Sequence, residues 1–356
     1  MAIRDLWAFE NGPVGLNLAA AAANFANYTG HAAGTAGGAA SGTITVTADG
    51  WLSVNSTDTV SSGVQGFSAL KSTMGFTGNG LWCGFRIRST TGALSAAYTS
   101  IFSYGNTVLA AGSTLQTLLS AAQIVAAGGC TAANVSNYIE IFISSSVWQV
   151  WMDGKMILNG VPTFSGNTSS TWYLNWGCIG GSASNINFQI RDVYFLEVLT
   201  TGSDNGRLGP LQANAAPLNT VTGAEYVLNA GSSGATTLAQ ALGTALDSVP
   251  DVTPSLTTPA DKTALTVVSG TPAATPAHPN ILAVQLYASL AGNGSTAANI
   301  QAEVEAAEGN INVGTFNSPN SAMVWNQKMP FLRNNPTGGA WSSSDISSLT
   351  TVLTPQ

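Results

Sequence analysis

The segment Val147-Trp148-Gln149-Val150-Trp151-Met152-Asp153-Gly154-Lys155-Met156-Ile157-Leu158 constrains the fold more than any other part of the chain. Two strand-forming runs meet at an Asp-Gly step. A two-residue type I′ turn needs positive φ at both central positions, which Asp tolerates and Gly adopts freely, so the segment predicts an antiparallel hairpin. A second hairpin is predicted over residues 43–54, around Asp49-Gly50. Leu81, Cys83, Phe85 and Ile87 alternate with Trp82, Arg86 and Arg88, the period of a strand with one face in the core and one in water. Residues 138–143 repeat the pattern, with Ile139, Ile141 and Ile143 on one face and Glu140 on the other. Strands are also expected at residues 172–181 and 186–199; in the latter the side-chain parity shifts at Arg191-Asp192, which predicts a β-bulge.

Helical spacing is confined to short stretches. Residues 17–28 and 114–127 are Ala-rich, the second with Leu115, Leu118, Leu119 and Ile124 as a stripe, and both read as covers over a sheet edge. Residues 238–246 suit one or two helical turns, and a Ser-Asp cap opens a short terminal helix at 342–349. Between residues 200 and 222 runs a stretch of Gly, Asn, Pro and Thr without periodicity. We therefore expect a first domain over 1–200, a linker over 201–222 and a second domain over 223–356, the last with strands at 224–229, 264–268, 281–290 and 299–307. The fold class predicted is mainly β: two tandem antiparallel β-sandwich, jelly-roll-like domains with a few short helices.

Composition narrows the function. The chain has 356 residues, 45% of them hydrophobic, enough for sizeable cores, but only 8% are charged, so Ser, Thr, Asn and backbone must supply the polar surface. Such a surface suits a part that is taken up into an assembly. Formal net charge is −7, and the ten Lys and Arg stand singly along the sequence, which argues against nucleic acid as a partner. The apolar runs fall well short of the ~20 residues of a membrane span. The N-terminus has no basic region followed by an apolar one, so no secretion signal is read and folding in a cytoplasm is expected. Three widely spaced cysteines, Cys83, Cys130 and Cys178, read as buried thiols, and His31 and His278 are too far apart for a zinc cluster; no cofactor is expected.

Few residues are candidates for chemistry. Glu303 and Glu305, with Glu308 nearby, would share one strand face about 7 Å apart, yet no His, Arg or aromatic accompanies them, and a solvated face is the better reading. Asp153 is explained by its turn without a calcium ion. Asp192 interrupts an apolar strand, so if buried it needs a partner such as Arg191 or a backbone amide. Trp148 and Trp151 have opposite parity in one strand, so only one can face a core; they are the candidate binding residues, as aromatic faces for a sugar or a partner.

Two resemblances complete the reading. The 147–157 hairpin, then Trp176 to Gly181, then Ile190-Arg191-Asp192-Val193-Tyr194-Phe195 resemble the concanavalin-A/laminin-G-like lectin and glucanase fold over about 1–200. The glucanase branch carries an E-x-D-x-x-E strand, which this sequence lacks, so the resemblance implies binding without catalysis and no catalytic residue is assigned. The C-terminal part, through the strands at 280–288 and 303–307 and the ending Asn335-Pro336-Thr337-Gly338-Gly339-Ala340-Trp341-Ser342-Ser343-Ser344-Asp345-Ile346, resembles a module of tailed-bacteriophage virion proteins over about 221–356. Together they imply a non-enzymatic virion structural protein, part of an appendage such as a fibre or spike or a capsid decoration, contributing to host attachment and assembled in the host cytoplasm. Its expected partners are other virion proteins, further copies of itself (the trimer being one form) and a host-surface glycan, with neither nucleic acid nor membrane. The alternative is a carbohydrate-binding lectin-like module acting as a receptor-binding protein.

Overall fold

The structure, a computed structural model, describes residues 2–7, 28–33, 42–56, 64–71, 80–96, 100–105, 116–144, 146–163, 172–179, 186–198, 206–212, 216, 218–223, 226–229, 236–243, 255–257, 264–270, 281, 283–291, 298–306, 309–318, 323–328, 332 and 334–356. The chain is mainly β, and all strand pairings are antiparallel among the described residues. It divides into two compact units, the main boundary falling between Ala213 and Asn214.

The first unit contains β1 (Ala2–Trp7), β2 (Tyr28–Ala33), β3 (Gly42–Val46), β4 (Leu52–Ser56), β5 (Val64–Lys71), β6 (Leu81–Arg88), β7 (Phe102–Gly105), β8 (Gln116–Leu119), α1 (Ala121–Ala126), β9 (Ser136–Ile143), β10 (Trp148–Met152), β11 (Lys155–Gly160), β12 (Trp172–Ile179) and β13 (Ile186–Glu197). An eight-stranded sheet runs β11-β10-β9-β6-β13-β4-β3, with β1 also on β13, and a five-stranded sheet runs β2-β5-β12-β7-β8. The predicted inner face holds, with Cys83, Phe85, Ile87, Ile139, Ile141, Ile143 and Ile190 of the larger sheet all buried, but the opposite face is not wet throughout: Trp82, Tyr138 and Glu140 are buried there too. This inner face meets the smaller sheet through an aromatic contact set: Phe85 stacks on Phe102 at 5.7 Å, and Trp176 meets Phe85, Phe102 and Phe195 edge-on at 5.8, 5.2 and 6.0 Å. Trp176 is fully buried, so truncating it to Ala would cost about 3–5 kcal/mol.

Both predicted hairpins form. Asp153 and Gly154 take φ of +47° and +86° between β10 and β11, as a type I′ turn requires. The Asp153 carboxylate also receives Tyr138 N at 2.8 Å and Asn137 Nδ2 at 2.6 Å, which ties the turn to the start of β9. The parity shift in β13 is a bulge: Arg191 pairs with Arg86 and the next pair is Tyr194 with Gly84, leaving Asp192 and Val193 opposite Phe85. There, β13 changes its neighbour on one side from β4, paired with 186–190, to β1, paired with 193–197.

Several expectations need correction. Residues 114–127 are not one helix: Gln116–Leu119 extend as β8 against β7, and Ser120 with Gln123 forms a capping box that starts α1 only at Ala121. Of the helix expected at 17–28, Tyr28 begins β2 and the rest lies outside the described residues. The stretch expected as a linker, 201–222, is not one in its described parts: Leu208 and Leu211 pack on the larger sheet, and 218–222 is a strand. Glu305 does not share a strand face with Glu303, because the strand ends at Val304 after a register shift at Ala302/Glu303.

The second unit comprises β14 (Leu218–Thr222), β15 (Val227–Asn229), α2 (Leu238–Gly243), β16 (Ser255–Thr257), β17 (Leu265–Ser269), β18 (Tyr287–Ala291), β19 (Ala298–Val304), β20 (Ile311–Ser318), β21 (Met323–Lys328), α3 (Ser343–Ser347) and β22 (Thr350–Pro355). One sheet runs β14-β17-β22-β19-β20, beside the pairs β15-β16 and β18-β21. The strand expected at 281–290 is shorter than predicted, with bridges at Ile281 and Val284 ahead of β18. The core gathers Ala302, Val304, Val313, Phe316, Trp341, Ile346 and Leu349. Trp341 Nε1 donates to Leu332 O at 2.8 Å, so the indole is buried with its polar atom satisfied. Ser342 and Asp345 form the capping box of α3, as the sequence predicts. Asn335 Oδ1 accepts from Thr337 N and Gly339 N at 3.2 and 2.8 Å, while its amide donates to Asp345 Oδ2 at 3.2 Å.

Candidate functional site

The outer face of the eight-stranded sheet carries the polar chemistry of the first unit. Period-2 alternation on β6, β9 and β13 sends Trp82, Arg86, Arg88, Tyr138, Glu140, Phe142, Gln189 and Arg191 to this side, away from the inner core. The bulge restores parity, so Tyr194 and Leu196 follow on the same face. The face has two halves of different character.

One half is apolar and covered. Trp82, Tyr138, Tyr194, Leu196 and Val198 form a second buried cluster, joined by Phe142, Trp151, Leu208 and Leu211. The segment 206–212 lies over it and is anchored at Glu140, a carboxylate only 1% exposed. Glu140 accepts from Tyr194 Oη and Gly209 N, both at 2.9 Å, and pairs with Arg207 Nη1 at 3.3 Å. A buried charge needs such compensation. Burial raises the Tyr194 hydroxyl pKa far above its ordinary value, and the neighbouring Glu140 charge raises it further. Gly84 lets the Tyr194 ring lie flat on the sheet: a Cβ there would come within 2.0 Å of the ring.

The other half is polar. Asp192, 1% exposed and in the left-handed region at φ +53°, accepts from Arg86 Nε at 3.0 Å and Arg191 Nε at 3.3 Å. Positive φ is uncommon for a residue with a Cβ and is strain of the kind that collects at functional positions. Arg88 donates through Nε to Gln189 Oε1 and through Nη2 to Asp49 Oδ2, both at 2.7 Å. Arg88 and Arg191 both lie over the Trp51 ring, 4.0 and 5.4 Å from its centroid. Trp51 is 5% exposed, so it is the floor under these guanidinium groups and no free stacking surface. Thr90 Oγ1 donates to Asn187 Oδ1 at 2.9 Å nearby. Arg86 marks the border, its guanidinium 5.5 Å from the centroid of Tyr138. Burial acts to raise the pKa of Asp49, but the hydrogen bonds from Thr47 and Arg88 and the charge of Arg88 outweigh it and hold the carboxyl below its ordinary value.

Trp148 and Trp151 do take opposite faces, yet neither is open. Trp148 lies on the inner side across Gly160 of the paired strand, where a Cβ would come within 2.5 Å of the indole. Trp151 is on the outer side, 5.1 Å from Trp82 and under Arg207 at 5.4 Å. Asp192 is buried with Arg191, as its interruption of an apolar strand demands, and with Arg86 besides. Arg191 lies far along the chain from Arg86 and Arg88, yet the three converge here; the signal was the shared parity of Arg86 and Arg88 beside a bulged partner strand. Glu303 accepts from Gln301 Nε2 at 2.9 Å and Asn310 Nδ2 at 3.2 Å, Glu305 is exposed, and Glu308 lies outside the described residues. Cys83 and Cys130 are buried thiols; the Cys130 pKa is pushed up to about 12 by burial, with the Asp153 charge adding to the effect.

No protein-family model and no curated protein matches the chain. Solved structures with a similar arrangement include a sialidase, at 10% identity and a TM-score of 0.30, covering 48% of this chain and 17% of its own. An endo-β-1,4-glucuronan lyase from Trichoderma reesei aligns at 12% identity and a TM-score of 0.33, over 53% of this chain and 99% of its own. The CBM2 module of the evolved Dit of Lactobacillus casei BL23 phage J-1 aligns at 14% identity and a TM-score of 0.28, over 55% and 94%. This chain thus spans under a fifth of the sialidase it matches.

Proposed function

We propose that the protein is a non-enzymatic carbohydrate-binding protein of lectin-like, jelly-roll type, and that its site is the polar half of the outer sheet face. The observation that carries this reading is the convergence of Arg86, Arg88, Arg191, Gln189 and Asn187 on adjacent strands, with Thr90 just beyond the end of β6 and Trp51 beneath Arg88 and Arg191. Guanidinium and amide groups on rigid strands present fixed hydrogen-bonding partners to sugar hydroxyls. The absence of catalysis is proposed because the two buried carboxylates of this face have structural work: Asp192 holds the bulge arginines and Glu140 anchors the 206–212 segment. A glycan array with the full chain tests the proposal. Binding that is lost in Arg88→Gln, with no new reducing ends on long incubation, is expected; an array without any hit overturns it.

A second reading is compatible: a structural part of a tailed-phage virion, oligomeric and in contact with other virion proteins, with the second unit as a further sandwich. It is favoured by the C-terminal ending, in which Asn335, Trp341 and Asp345 organise turn, core and helix cap. Those motif residues pack and hydrogen-bond within the second unit. Mass spectrometry of dissociated particles tests it: the chain present at an integral multiple per particle supports the reading, and its absence removes it.

A further inference from the structure

We propose that the site takes saccharides bearing a carboxylate, and that Asp49 acts as an internal competitor for the ligand's acid group. This rests on the carbohydrate-binding reading and names its ligand class. Three of the chain's ten cationic side chains meet on this one patch, although the net charge is −7. Among the described residues the carboxylates that pair with them are Asp192 and Asp49. The two carboxylates differ in kind. Asp192 is 1% exposed and belongs to the bulge, whereas the Asp49 side chain is 59% exposed, at the tip of the β3–β4 hairpin.

The exposed Asp49 carboxylate, 2.7 Å from Arg88 Nη2, shows that this guanidinium has a face turned towards an acid group at the surface. Arg86 and Arg88 are two residues apart on β6, on one face, with side chains 29% and 16% exposed. That spacing is about 7 Å along the strand, within the span of one sugar ring and its substituents. Each guanidinium has five N–H donors. Arg86 spends Nε on Asp192, and its two Nη groups have no hydrogen-bond partner among the described residues. A planar fork with spare donors fits a carboxylate in two-point contact, which a hydroxyl cannot match. The covered half of the face, walled by 206–212 at Leu208 and Leu211, bounds the patch beyond Tyr138.

The experiment is isothermal titration of the full chain with tetragalacturonate, sialyllactose, cellotetraose and lactose at low and high salt. The first two distinguish an acid on every ring from an acid on a terminal sugar. The acidic probes are expected to bind at least about tenfold more tightly than their neutral counterparts. Asp49→Asn should tighten the acidic probes severalfold more than the neutral ones, Arg88→Gln should weaken the acidic ones by about tenfold or more, and salt should weaken them too. Arg86→Lys, which keeps the charge opposite Asp192, separates loss of the two-point fork from loss of the fold. Equal affinity for acidic and neutral probes, or an Asp49→Asn change that leaves acidic binding as it was, overturns the inference while the saccharide-binding reading stands. No hit on any glycan array overturns that reading instead.

Discussion

Replacing Asp192 separates two costs that the bulge combines. In Asp192→Ala the Arg86 and Arg191 guanidinium groups lose their buried carboxylate, and breaking a buried pair costs about 3–5 kcal/mol. Both arginine side chains keep contact with water, 29% and 16% exposed, so the lower end of that range applies. The variant also holds alanine at φ +53°, at about 1–2 kcal/mol. The sum is about 4–5 kcal/mol. In Asp192→Gly the conformational cost disappears while glycine's extra chain entropy returns about 0.5–1 kcal/mol, so Gly should be more stable than Ala by about 0.5–1 kcal/mol. Asp192→Asn, with the same shape and a tolerance for positive φ, should be the mildest. For a unit of this size, 1 kcal/mol moves the melting temperature by roughly 2–4 °C. Calorimetry of the full chain, following the transition of the first unit, should therefore rank wild type above Asn, Asn above Gly and Gly above Ala. An alanine variant that melts with the wild type refutes the ion-pair account, and a glycine variant below alanine refutes the strain account.

Other outcomes follow from the same geometry. Gly84→Ala should displace the Tyr194 ring and its bond to Glu140, costing about 3 kcal/mol or more, and limited proteolysis should then cut within 206–212; unchanged resistance would contradict the packing described. The buried acids whose pKa is raised, with Cys130 and Tyr104 both at about 12, bind protons in the folded state that the unfolded chain has lost. Stability should thus be full below about pH 9, where the unfolded thiol still keeps its proton, and fall as pH rises towards 12; a flat alkaline profile in urea titrations would count against it. Asp49 runs the other way. Its folded pKa is depressed, so its pairing with Arg88 should persist above the ordinary carboxylate range and be lost as pH falls through the folded value, which a carbon-detected titration of its carboxyl would follow.

Much of this was legible in the residues because short-range signals carried it. Asp153-Gly154 dictated its turn through the φ values that both residues tolerate, and period-2 alternation predicted the inner face of β6 and β9, though not that Trp82, Tyr138 and Glu140 of the other face are buried as well. Asp192 announced the bulge by breaking an apolar run. What stayed hidden depended on distant partners. Ser120 and Gln123 form a capping box that a stripe of leucines obscured, and Leu118 and Leu119 are buried through a strand, not a helix face. The linker reading of 201–222 failed over 206–212 because Leu208 and Leu211 gain their meaning from a trough built by β6, β9 and β13. The site itself was illegible for the same reason: Arg86 and Arg191 are brought side by side by one antiparallel register. Trp148 and Trp151 drew notice as aromatic residues in a hairpin, but both are half-buried, Trp148 packed over Gly160 and Trp151 against Trp82.

The central claim is that ligand binds on the polar half of the outer sheet face. Hydrogen–deuterium exchange of the full chain, with and without the tightest-binding glycan from the array, tests it most directly. Protection is predicted on β6 and β13 and on the β3–β4 turn, the elements that carry Arg86, Arg88, Arg191 and Asp49. Protection confined to the β10–β11 hairpin or to the second unit would contradict the assignment.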